Sequence, residues 1–118
     1  MFEVKERKSY TWTVEHVAGE KGGKPNVMRF DAEFKALRTP QVGELLERLR
    51  AGDMKDQEFL REILMGWHGL GDGRAGELTE FAYDQTNLEL LIDLYPGIVG
   101  SITQAYIDSV SGAAARKN

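Results

Sequence analysis

Hydrophobic and polar positions alternate twice near the start of the chain. Tyr10, Trp12, Val14 and His16 fall on one side of an extended backbone, and Thr11, Thr13 and Glu15 on the other. A period of two in aromatic and β-branched residues predicts a strand. Met28, Phe30, Ala32, Phe34 and Ala36 then alternate with Arg29, Asp31, Glu33 and Lys35. That predicts a second strand with one wet face, antiparallel to the first. The Gly- and Lys-rich stretch from Ala18 to Pro25 reads as the hairpin loop between them. Phe30, Phe34 and Leu37 also stand at helical spacing, so strand is expected only to about Phe34, with a helix as the alternative.

Past Leu37 the period changes. Thr39-Pro40 predicts a helix start, with Thr39 as cap and Pro40 at the first position. Val42, Leu45, Leu46 and Leu49 form the stripe to be buried, and Glu44 and Arg48 can pair across one turn for ~0.2–0.5 kcal/mol. Ala51-Gly52-Asp53 breaks this helix, and Asp53 or Asp56 opens another. Leu60, Ile63, Leu64 and Trp67 would be its inward face, with Phe59 beside them and Gly66 and Gly69 bracketing its end. Gly69 to Glu77 reads as a mobile surface loop, and Leu78 to Tyr83 as a short extended segment.

Asp84 is suited to cap a third helix, because its carboxylate can accept a first-turn amide hydrogen. Leu88, Leu91, Ile92 and Tyr95 follow at i, i+3, i+4 and i+7. Pro96 stops that helix and fits the first turn of the next, where its missing donor costs little. The last helix, about Gly97 to Val110, buries Ile98, Ile102, Ala105 and Tyr106 and ends at Gly112. Residues 113–118 read as a flexible tail. The expected class is α+β and mostly helical: one domain over 1–118, with a β-hairpin region at 1–37 and about four short helices in 38–112. A lone hairpin is marginal in water, so Trp12, Phe30 and Phe34 must pack on the helices or on another chain.

Composition narrows the function more than it names it. A net charge of −4 and a pI near 5.2 argue against nucleic acid, which needs a basic face. No apolar run approaches the ~20 residues of a membrane span. Met1-Phe2-Glu3-Val4-Lys5 has no apolar signal core, so a cytoplasmic site of action is expected. Without cysteine there is no disulfide and no thiolate chemistry.

His68, Asp72 and Asp84 would suit a metal on a helix, but Gly69, Gly71 and Gly73 oppose one there, and His16 is the only other histidine. The run from Gly69 to Gly76 imitates a phosphate loop, yet it follows a helix and lacks the Gly-Lys-Ser/Thr ending. No nucleophile triad assembles from two histidines and scattered serines, and Glu77 and Glu80 read as solvated surface. The expectation is no catalysis, no metal and no cofactor. Trp67, Tyr95 and Tyr106 sit where core packing is the usual explanation. Leu70, Phe81 and Tyr83 flank the glycine loop and suit a partner helix, since aromatic anchors dominate interface energy. The candidate partner-binding residues are therefore Trp67, Leu70, Phe81 and Tyr83.

Two sets of residues together carry a resemblance. The first is Tyr10-Thr11-Trp12-Thr13-Val14 with Phe30-Asp31-Ala32-Glu33-Phe34-Lys35. The second runs Gly66-Trp67-His68-Gly69-Leu70-Gly71-Asp72, then Phe81, Asn87-Leu88, Leu91, Tyr95-Pro96-Gly97, Ala105-Tyr106 and Arg116-Lys117-Asn118. In this order they resemble the tail assembly chaperones of long, non-contractile-tailed bacteriophages, over nearly the whole chain. Leu70 stands where valine is commoner, and the glycine loop before Phe81 differs in detail.

The resemblance implies a scaffolding protein of phage or prophage origin. It would bind the helical tape measure protein, keep its apolar helices soluble and help recruit major tail tube subunits. It would act in the cytoplasm of the bacterial host, with possible self-association, and be absent from the mature virion. Nucleic acid and membrane are not among its partners. Such proteins are often made in two lengths by a frameshift, and Lys117-Asn118 fits codons of an A-rich run. An exposed apolar patch of more than ordinary size is expected of such a protein. The alternatives are a tail or head–tail component of the virion and, further off, a small hydrolase.

Overall fold

The computed structural model describes residues 1–75 and 79–112. The first strand, β1, is Ser9–Lys21 and the second, β2, is Lys24–Lys35. They pair antiparallel with Tyr10 opposite Phe34, Trp12 opposite Ala32, Val14 opposite Phe30 and His16 opposite Met28. These are the apolar faces of both alternating patterns, and they lie on one side of the sheet. Val14, Ala32 and Phe34 are fully buried there. The other side is wet and is laced by short polar pairs across the ladder. Thr13 donates to Asp31 at 2.9 Å, Arg29 to Glu15 at 3.1 Å and Ser9 to Glu33 at 2.7 Å.

The second strand ends at Lys35, one residue from the expected end near Phe34. One expectation about the hairpin is corrected: the loop foreseen over Ala18 to Pro25 is mostly ladder. Gly22 and Gly23, with φ of +60° and +79°, turn the chain in two residues. Both central positions of such a turn need positive φ, which glycine adopts without strain. A register shift between Val17 and Glu20 bends the arm before its tip.

The third strand comes from a segment expected to be helical. Helix α1 is Thr39–Arg50 and helix α2 is Asp56–Ile63; β3 is Leu64–His68. β3 pairs antiparallel with β2, so the sheet order is β1-β2-β3. Leu60, Ile63, Leu64 and Trp67 are all buried, as a helical stripe would require. The first two face inward from α2 and the last two from β3. Gly66 in the middle of that stripe, poor in a helix interior, is the residue that marks the change. About 43% of the described residues are helical and 31% are strand, so the chain is α+β but not mostly helical.

Smaller offsets occur at the helix ends. Arg38, not Thr39, is the N-cap of α1, with the Gln41 side chain accepting from its amide at 3.1 Å. The ion pair of α1 joins Arg50 to Glu47 at 2.7 Å rather than Arg48 to Glu44. Helix α3, Gln85–Leu94, starts as expected: Asp84 accepts from the Asn87 amide at 2.7 Å. Pro96 lies in the turn before Gly97, ahead of α4 (Ile98–Ser111) rather than in its first turn. The chain bends by 111° between α3 and α4. The stretch 113–118, expected to be a flexible tail, is outside the described residues.

The core lies between the apolar sheet face and helices α2 and α4. Phe59, Leu60 and Ile63 meet Ile98, Ile102 and Tyr106, all fully buried. Each such side chain contributes roughly 1.5–3 kcal/mol by leaving water. Tyr106 sits edge-on to both Phe34 (5.2 Å between ring centres) and Phe59 (5.6 Å). The Tyr10 hydroxyl pairs with Ser109 on α4 at 2.7 Å and ties the sheet to the last helix. The hairpin does pack on the helices of its own chain.

Candidate partner-binding groove

After β3 the chain turns at Gly69 and forms a second, very small ladder. β4, Gly71–Asp72, pairs antiparallel with β5, Thr79–Glu80. The Phe81 amide extends it by donating to the Leu70 carbonyl at 2.7 Å. The foreseen loop from Gly69 to Glu77 is thus partly paired, with a 3-10 turn at Gly73–Ala75; Glu77 and Leu78 lie outside the described residues. This ladder returns Phe81 to Trp67. Their rings lie parallel with centres 5.8 Å apart, and Trp67 Nε1 donates to the Phe81 carbonyl at 2.6 Å. Tyr83 stands edge-on to Trp67 at 4.8 Å, and its hydroxyl donates to the Leu64 carbonyl at 3.3 Å. Burial raises the Tyr83 phenol above its usual range.

The four residues proposed from sequence therefore meet in one place, with different exposures. Trp67 is only 2% exposed and Phe81 is buried, whereas Leu70 and Tyr83 are half-buried. Leu70 and Phe81 line a concavity of about 140 Å³; Trp67 and Tyr83 do not. Leu90 and Leu94 of α3, its C-cap residue Tyr95 and Met28 of β2 also line it. Leu94 is 60% exposed. Sequence reasoning missed Leu90, Leu94 and Met28. A signal for the first two existed: α3 is apolar at 88, 90, 91, 92, 94 and 95, more than one buried face needs.

Polar groups close one end of the groove. Arg74 donates to both oxygens of Asp72, at 2.9 and 2.8 Å, and its guanidinium lies 5.4 Å from the centre of the Phe81 ring. Hydrogen bonds from the Arg74 side chain and amide hold the Asp72 carboxyl down at about 2. His68 turns away and meets Glu80 at 3.4 Å, so His68, Asp72 and Asp84 are not gathered. Among the described residues no group of three or more His, Cys, Asp or Glu is placed to hold a metal. His16 Nδ1 is 2.7 Å from the Ser101 hydroxyl. No single described helix is long and apolar enough to cross a membrane.

Exposed apolar side chains also occur on other elements. They include Phe2 and Val4 before β1, the paired Val17 and Val27 on the hairpin arm, and Met65 on β3. Comparison with protein-family models, curated proteins and solved structures finds no match to this chain.

Proposed function

We propose that this chain is a tail assembly chaperone of a long-tailed, non-contractile phage or prophage. Its client is the tape measure protein, whose apolar helices it keeps soluble in the host cytoplasm while tail tube subunits are recruited. The carrying observation is the groove beside α3. Leu90, Leu94 and Tyr95 line a concavity with Leu70 and Phe81, and the Phe81 ring stacks on Trp67. An exposed Leu94 one turn from the part-buried Leu90, beside an aromatic stack, suits helix-in-groove recognition, in which side chains one turn apart anchor a partner helix. Many copies along a long client would turn modest single contacts into firm retention. The role needs no catalytic group, metal or cofactor, and the finished virion would lack the protein.

Co-expression with the tape measure protein encoded beside it tests the reading. The client should remain soluble and co-purify with several copies of this chain. A client that precipitates unbound would overturn it. A second reading, a structural component of the virion, is favoured by the three-stranded sheet, whose β1 edge is unpaired within the described residues. Detection of the chain in purified particles would establish that reading instead.

A further inference from the structure

The net negative charge of this chain comes from the part of the sequence that contains α3. Residues 1–74 balance acid with base, and Arg116 and Lys117 are basic. Between them, residues 75–112 contain Glu77, Glu80, Asp84, Glu89, Asp93 and Asp108 and no lysine or arginine. Glu89 and Asp93 are exposed on α3, each one residue before a leucine that lines the groove, Leu90 and Leu94 respectively. Asp93 forms no ion pair among the described residues. At the far end, Asp84 caps α3 close enough to act on the Arg74 charge. Arg74, the one base lining the groove among the described residues, is already held by Asp72.

We propose that the groove accepts an amphipathic helix whose apolar stripe is flanked by lysine or arginine. This rests on the groove being the client site, and it adds the charge of the client segment. The apolar lining supplies the contact, and the exposed carboxylates next to Leu90 and Leu94 on α3 select the sign of the flanking residues. Exposed charges of this kind act over about 10 Å at 0.1 M salt, so the selection must fade as salt rises. α3 has 10 residues. At ~1.5 Å per residue, it can lie along about three turns of a partner.

The test uses two synthetic helical peptides of about 14 residues, roughly four turns. One is built from leucine and lysine, the other from leucine and glutamate in the same pattern. Their binding to the full chain is followed by fluorescence anisotropy at low and high salt. The lysine peptide should bind at least tenfold tighter at low salt, with the preference shrinking in 0.5 M salt. The double variant Glu89→Gln, Asp93→Asn should reduce the preference to under about threefold. Leu94→Ser should weaken the lysine peptide at least fivefold at both salt concentrations. Equal binding of the two peptides overturns the proposal, as does lysine-peptide binding that survives Leu94→Ser, which would be general charge attraction. Tape measure capture is scored in parallel with the same variants. Capture lost in the wild type removes the chaperone reading. Capture retained while the peptides fail to discriminate removes only the charge preference.

Discussion

Replacing Trp67 by phenylalanine tests whether this residue is framework rather than contact surface. The indole donates to the Phe81 carbonyl at 2.6 Å inside a site that is 2% exposed. Removing the donor leaves a buried carbonyl unpaired, which costs about 1–3 kcal/mol. The smaller ring also leaves a void on the order of 40 Å³, which at about 24 cal/mol per Å³ adds about 1 kcal/mol. The expected loss is therefore about 2–4 kcal/mol, a large part of the 5–15 kcal/mol typical of a domain. Urea unfolding followed by far-ultraviolet circular dichroism reads it as a lower midpoint at unchanged slope. Tyr83→Phe is the control, because its bond to Leu64 is 3.3 Å long and half-exposed. It should cost under about 1 kcal/mol. A Trp67→Phe variant as stable as wild type, or a Tyr83→Phe variant equally damaged, would refute the assignment of Trp67 as the tie between β3 and Phe81.

Asp84→Ala removes the carboxylate that caps α3 and should cost about 1 kcal/mol by the same unfolding measurement. Gly66→Ala would bring a methyl group to 3.2 Å from the Glu33 carboxylate, displace it from Ser9 and cost about 1 kcal/mol. Tyr106→Phe should be neutral or stabilising at pH 7, because the Tyr106 hydroxyl is buried with no hydrogen-bond partner among the described residues; a loss above about 1 kcal/mol would contradict this. Burial, with Tyr10 nearby, lifts the Tyr106 phenol to about 12 from an ordinary value near 10. Its contribution is present below pH 10 and is lost as pH rises from 10 to 12, so Tyr106→Phe should flatten alkaline unfolding in that window. Asp72 behaves in the opposite sense. Its stabilisation is present above its unfolded value of 3.8 and fades as pH falls toward 2, a slope that Asp72→Asn should remove from acid melts.

The alternating faces of β1 and β2 were legible in the sequence because one side packs and the other stays wet. The α3 cap and the buried stripe of α4 were legible too, since each depends on residues within one or two turns. β3 was not. Leu60, Ile63, Leu64 and Trp67 satisfy a helical period and are all buried, so periodicity could not separate one long helix from a helix followed by a strand. The edge of β2 decided it, and a pairing of Ala32 with Trp67 is invisible in local pattern. The gathering of Trp67, Phe81 and Tyr83 was half legible: their types marked them, but which rings face inward depends on the β4–β5 ladder. Leu90 and Leu94 lie off the stripe of Leu88, Leu91, Ile92 and Tyr95, so helical periodicity assigned them no role.

Helix α1 has a thin attachment to the rest of the molecule. Of its stripe only Leu45 is buried, while Val42, Leu46 and Leu49 keep partial access to water. The segments at its two ends, Arg38–Pro40 and Ala51–Asp53, are exposed. Free energies of local opening follow local packing, so α1 should detach in excursions far smaller than global unfolding. Its amides should exchange with deuterium ahead of those in α2 and α4, and proteases should first nick the chain at Ala51–Asp53. The fold thus has two tiers of cooperativity: a sheet bound tightly to α2 and α4, and one helix free to come and go.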